Sequence, residues 1–92
     1  MNIYLIREYV NRLRKEDVNN YALKQNIVLD NSEIDFIYSY IKNNYRKILS
    51  RDISLSLDEV KPKLRDSTYN KLVILIYNNR DKINSFINKI RD

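Results

Sequence analysis

Residues 30–48 read DNSEIDFIYSYIKNNYRKI, and this stretch decides the fold. Ile34, Ile37, Tyr38, Ile41, Tyr45 and Ile48 recur every three or four positions, the period of a helix with one apolar face. Asp30 followed three residues later by Glu33 is a capping-box pattern, in which each side chain accepts from the other's backbone N–H. The helix therefore opens at Asp30. Asn43-Asn44 marks a place where it ends or frays.

The same period holds upstream. Ile3, Ile6, Tyr9, Val10 and Leu13 form a stripe over Asn2 to Leu13, with Arg7, Glu8, Asn11 and Arg12 opposite and Glu8 four residues before Arg12 in the supportive order. A short second helix over 16–26 follows, opened by Glu16 and Asp17, whose charge suits a helix N-terminus. Asn26 takes the left-handed closing position that glycine usually fills, because the chain contains no glycine. Ile27-Val28-Leu29 is a brief connector in which Ile27 and Leu29 face inward about Val28.

Downstream the pattern changes. Ile53, Leu55 and Leu57 alternate with Ser54 and Ser56, a two-residue rhythm that taken alone signals a strand. No second strand is there to pair with it, so an extended connector over the core is expected. Ser56 and Glu59 open a single turn near 57–60, which Pro62 ends by removing a backbone donor and crowding the preceding turn. Asp66 or Ser67 then caps a long C-terminal helix, expected over 68–90 as one piece despite the interruption at Asn78-Asn79-Arg80-Asp81. Its stripe is Tyr69, Leu72, Val73, Ile76, Ile83, Phe86, Ile87 and Ile90. The expectation is an all-α single domain over residues 1–92, a compact bundle of four or five helices with this C-terminal helix at its centre.

Composition narrows the function. Apolar residues make up 43% of the chain and charged residues 32%, the balance of a folded domain rather than a disordered one. A chain of 92 residues supports one core, hiding roughly 60 to 68% of its unfolded surface. The absence of cysteine and histidine removes disulfides, thiolate nucleophiles, imidazole acid–base chemistry and nearly all zinc, haem and iron–sulfur sites. The absence of glycine removes phosphate-cradling loops. Glu16-Asp17 and Asp58-Glu59 are adjacent carboxylates that diverge on a helix. No enzyme, cofactor, metal or small-molecule substrate is expected. The longest apolar run, Leu72 to Tyr77, is far short of the roughly 20 residues that span a bilayer, and the first residues do not form a signal peptide, so a cytoplasmic protein with no membrane role is expected.

Two surfaces invite a binding role. Leu72 to Tyr77 covers every side of a helix, so that helix is either wrapped by the rest of the chain or docked against a partner, with Ile74 and Leu75 as the surplus apolar surface. The net charge is +5, with cations gathered at Arg12, Arg14 and Lys15, at Arg46, Lys47 and Arg51, and at Lys61, Lys63 and Arg65. Converging patches of this kind hold a nucleic-acid backbone, with Tyr45 available for stacking. Each patch is equally an ordinary solvated helix end, and the AT-rich codons of Asn, Ile, Lys and Tyr account for part of the count. The outline from Val18 to Ile41 is that of a helix-turn-helix, but Glu33 and Asp35 at the start of its second helix would repel phosphates, which favours a plain helical hairpin. Tyr9, Tyr21, Tyr38, Tyr69 and Tyr77 fit boundary positions with a buried ring and a wet hydroxyl. Tyr4 and Tyr40 fit no stripe.

Asn11-x-Leu13, Glu16-Asp17-Val18, Tyr21-Ala22, Ile27-x-Leu29 and Glu33-Ile34 followed by Ile37 together resemble the YqfT-like family, short uncharacterised proteins of low-GC Gram-positive bacteria. The resemblance spans residues 6–41, with a weaker echo at Asp52-Ile53-Ser54-Leu55 and Asp66-Ser67-Thr68. It implies a small cytoplasmic helical protein of bacterial origin and carries no activity with it. The leading expectation is thus a non-catalytic protein–protein interaction module, a homodimer or adaptor. An RNA- or DNA-associated accessory protein is the alternative.

Overall fold

In the computed structural model the described residues are 3–91, the side chains of residues 87, 90 and 91 excepted. The expected start of the first helix at Asn2 and the places of Ile87 and Ile90 on the C-terminal stripe lie outside them. The described residues form six α-helices: α1 (Ile3–Arg12), α2 (Lys15–Lys24), α3 (Asn31–Leu49), α4 (Ile53–Val60), α5 (Asp66–Asn78) and α6 (Arg80–Arg91). A single 3-10 turn, Lys61–Lys63, separates α4 from α5, and no strand occurs among these residues. The protein is all-α.

The central helix is α3, against which α1, α2 and α4 pack. Its start is the expected capping box: the Glu33 N–H donates to Asp30 Oδ1 (2.8 Å) and the Asp30 N–H to Glu33 Oε1 (3.1 Å). It does not stop at Asn43-Asn44: the Asn44 amide donates to the Tyr40 carbonyl (3.0 Å) and the helix runs on to Leu49. The closure of α2 is also as expected. Asn26 has φ 61°, with the Ile27 N–H on the Ala22 carbonyl (2.9 Å) and the Asn26 N–H on the Leu23 carbonyl (3.0 Å). That six-to-one and five-to-two pair turns the chain and seats Ile27 against Ala22, both buried. The alternation about Val28 holds, with Val28 exposed between buried Ile27 and half-buried Leu29.

Three expectations are corrected. First, residues 53–60 are helical, not an extended connector with one turn at its end. Asp52 caps α4 by accepting the Ser54 N–H (2.9 Å). The stripe is Ile53, Ser56, Leu57 and Val60, at helical spacing, while Leu55, the residue that made the sequence alternate, is 49% exposed. Pro62 lies within the 3-10 turn that follows, where its missing donor removes no α-helical bond.

Second, the C-terminal segment is two short helices rather than one long one. Asn79 leaves helical angles (φ −112°, ψ 15°), where α5 ends, and its amide donates back to the Leu75 carbonyl (2.8 Å). Neither Asp66 nor Ser67 caps it. The N-cap position is Arg65, which has no capping side chain of its own.

Third, α5 is not central. Its Ile74 is 60% exposed, and the bundle is organised around α3 with α5 and α6 laid at its flank.

Candidate functional site

Two apolar hollows mark the surface. One cavity of about 370 Å³ lies among α1, α2, α3 and α5, lined by residues that include Tyr9, Val18, Tyr21, Ile41, Leu72 and Leu75. A second, of about 450 Å³, lies among α3, α4, α5 and α6 and is bordered by Ile53, Ile83 and Phe86. Tyr21, Leu72 and Leu75 line both, so the two hollows are one trough divided by these three side chains. Leu72 also borders a smaller cavity of about 240 Å³ between α3, α4 and α5.

The rings of Tyr9 and Tyr21 stand at the rim. They are 71% and 60% exposed, which corrects the expectation of buried rings; Tyr77 is exposed as well. Tyr38 and Tyr69 are half-buried, with the ammonium groups of Lys15 and Lys42 over the first ring (5.8 and 5.2 Å) and Lys61 over the second (5.5 Å). Tyr40 is placed by its hydroxyl, which accepts from Arg51 (3.4 Å).

The two interface candidates part company. Leu75 faces the trough. Ile74, one residue earlier and about 100° around the helix, lines neither hollow and points away from Leu72 and Ile76.

Two polar side chains of the first hollow have partners within the chain. Asp17, the one charged residue lining the first hollow, accepts the Arg14 N–H (2.9 Å), and the Thr68 hydroxyl donates to Glu33 Oε1 (3.2 Å). Beneath the trough, Glu33 is 1% exposed. Burial alone would raise its pKa, but hydrogen bonds from the Arg65 side chain and backbone, from the Asp30 N–H and from Thr68 outweigh it and hold the carboxyl below its usual 4.5. Glu33 thus does not face solvent at the start of α3 as a phosphate-repelling group; it is internal. Sequence reading took Glu33 for a capping residue and a phosphate-repelling carboxylate, not for an internal one. The signal that it also sits inside was its spacing, four and eight residues before Ile37 and Ile41 on the same face.

Of the cations expected to meet nucleic acid, six are matched with carboxylates, Arg65 among them with Asp30 (3.4 Å) and Glu33 (2.8 Å). Arg12 pairs with Glu8 (3.5 Å), Arg14 with Glu16 and with Asp17 (3.6 Å), and Lys15 with Asp35 (3.0 Å). Lys47 (2.9 Å) and Arg51 share Glu59. Arg46 lies over the neighbouring Tyr45 ring at 5.8 Å. Among the described residues no group of three or more acidic side chains is gathered to hold a metal ion, and no helix is long and apolar enough to cross a membrane.

No protein-family model matches the chain, and no curated protein or solved structure proves similar to it. The geometry defines an all-α domain with an apolar, tyrosine-rimmed trough.

Proposed function

We propose that the protein is a non-catalytic protein–protein interaction module whose docking surface is the trough bordered by Tyr9, Tyr21, Leu72 and Leu75. The observation that carries this reading is the trough's chemistry: a long hollow, open at exposed tyrosine rings, whose lining is mostly apolar. Small-molecule sites orient their ligands with a few converging polar groups, and in the first hollow Asp17 and Thr68 are already bonded within the chain. An apolar side-chain stripe asks for none. Tyrosine at the rim supplies large contact area at little entropic cost, as it does in protein interfaces. The internal pairing of Arg12, Arg14, Lys15, Lys47 and Arg51 lowers the charge they offer to a phosphate backbone.

The test is a fluorescence titration with 8-anilinonaphthalene-1-sulfonate at protein concentrations dilute enough to keep chains apart, beside light scattering with bulk RNA at low and high salt. The expected result is saturable dye binding that Leu75→Glu abolishes, with no RNA-dependent change in mass. Absence of dye binding overturns the trough as a docking surface. A mass increase with RNA that collapses at high salt assigns the surface to nucleic acid instead.

A further inference from the structure

We infer that the occupant of the trough is an acidic amphipathic helix of another protein, its apolar stripe laid along Tyr21, Leu72 and Leu75 and its carboxylates over lysines on the α2, α5 and α6 borders. The inference rests on the trough being a docking surface and adds the chemistry of what docks there. Charge complementarity carries it.

Among the described residues the cations held in ion pairs are Arg12, Arg14, Lys15, Lys47, Arg51 and Arg65. Lys24, Lys71, Lys82 and Lys89 are exposed and stand outside that set. Helical spacing gathers them about the trough. Lys82 lines the second hollow. Lys89 lies one turn beyond Phe86, which borders the same hollow, and two turns beyond Lys82 on one flank of α6. Lys24 follows Tyr21 by three residues on α2, and Lys71 precedes Leu75 by four on α5, so each is one turn from a residue that lines both hollows. The carboxylate in the lining is Asp17, at the first hollow, and Arg14 already engages it. The border is therefore positive above an apolar floor, with its charge weighted toward α6.

Other anions answer only part of this arrangement. A phosphate backbone meets the lysines but leaves the floor of Leu72, Leu75 and Ile83 uncovered. A flat anionic bilayer takes up apolar groups that project into it, whereas these three line a hollow. An amphipathic helix satisfies both features: anchors at i, i+3, i+4 and i+7 enter the hollows, and acidic residues on its flanks reach the border. The anchors supply affinity, and the lysines set orientation and association rate.

Fluorescence anisotropy with three labelled peptides of about 18 residues, five helical turns, tests this. One carries leucine at the anchor spacing and glutamate on the flanks, the second has lysine for glutamate, and the third scrambles the acidic peptide so that the stripe is lost. The acidic stripe peptide is expected to bind saturably, and the other two at least ~10-fold more weakly. Leu75→Glu removes the binding. Lys82→Glu weakens it several-fold at low salt and little at high salt. Lys63→Glu makes the same change of net charge outside both hollows and leaves it as it was, and circular dichroism melts confirm that each variant is folded. Equal binding of the acidic and lysine peptides, or failure of the acidic one on a chain that binds the dye, overturns the acidic helix while the docking surface stands. Bulk RNA or phosphatidylserine vesicles held more tightly than the acidic peptide, and released by Lys82→Glu, assign the lysines to that anion and overturn it as well. A chain that binds neither dye nor peptide overturns both readings.

Discussion

The Arg65 backbone N–H donates to Glu33 Oε2 at 2.9 Å while its guanidinium donates to Glu33 Oε1 at 2.8 Å, across 32 residues of chain. Glu33 thereby closes two helix starts at once: its own, through the Asp30 N–H, and that of α5, which has no side-chain cap of its own. The Arg65 guanidinium also reaches the Val28 carbonyl (2.9 Å), tying the α2–α3 connector to the same point. Removing Glu33 leaves the Thr68 hydroxyl and several N–H groups without their acceptor. Glu33→Ala is expected to cost about 3–4 kcal/mol. Arg65→Ala costs less, because its side chain is half in water and part of the attraction is screened. A double-mutant cycle read by urea denaturation should return a coupling of at least about 1 kcal/mol. Additive losses would show that the two groups stabilise the fold independently.

Acid should unfold the protein through the same carboxyl. Glu33 is held below 4.5 by its donors despite its burial, and Asp30 and Asp52 below 3.8, chiefly by the N–H groups of Glu33 and Ser54. Each binds its proton less tightly in the folded chain than in the unfolded one. Their contribution is complete above the ordinary carboxylate range and is lost as pH falls through the lowered folded values. The urea midpoint should hold steady from roughly pH 7 to 5 and drop below about 4.5. Glu33→Gln starts less stable and falls less steeply. A parallel fall in the two proteins would remove Glu33 from the transition.

At Asn26 the backbone turns left-handed, φ 61°, to close α2 and bring Ile27 under Ala22. Asparagine tolerates that region better than other side chains, and glycine enters it without steric cost. Asn26→Gly should therefore stabilise by up to about 1 kcal/mol and Asn26→Ala destabilise by about 1 kcal/mol. For a chain of this size the two melting temperatures should separate by roughly 8–16 °C. Equal melting temperatures would mean that the α2 closure does not constrain the fold.

What was legible in the sequence was local. The Asp30–Glu33 box, the closure at Asn26 and the stripe of α3 each depend on residues within a turn or two, and each stands where the spacing put it. The errors arose where a short-range pattern had two solutions. Ile53, Leu55 and Leu57 satisfy a strand's alternation as well as a helix's edge, and only Val60, completing the i, i+4, i+7 series with Ile53 and Leu57, separates them. At Asn79 the stripe continues in phase, so nothing in the period announces that the backbone leaves helical angles there. The site was half legible. Leu75 was singled out as surplus apolar surface, but Ile74 was grouped with it because a run of apolar residues does not say which side of a helix the rest of the chain covers. The Glu33–Arg65 bond and the trough itself depend on α5 returning to α3, which no local pattern encodes.

The reading of residues 53–60 can be decided by two alanines. On a strand Leu55 and Leu57 share a face, and truncating either would cost the same. On α4 they are about 200° apart: Leu57 is buried and lines the smaller cavity beside Val60, Leu72 and Ile76, while Leu55 is half in water. Leu57→Ala should cost about 2–4 kcal/mol, toward the lower end because the cavity already present leaves fewer contacts to lose. Leu55→Ala should stay within about 0.5–1 kcal/mol of the parent, since alanine's higher helix propensity offsets part of the lost surface. Asp52→Ala, which removes the α4 cap, should lie between them at about 1 kcal/mol. Chemical denaturation of the three variants gives that order if α4 is helical in solution, and equal losses at Leu55 and Leu57 would place the segment in an extended conformation instead.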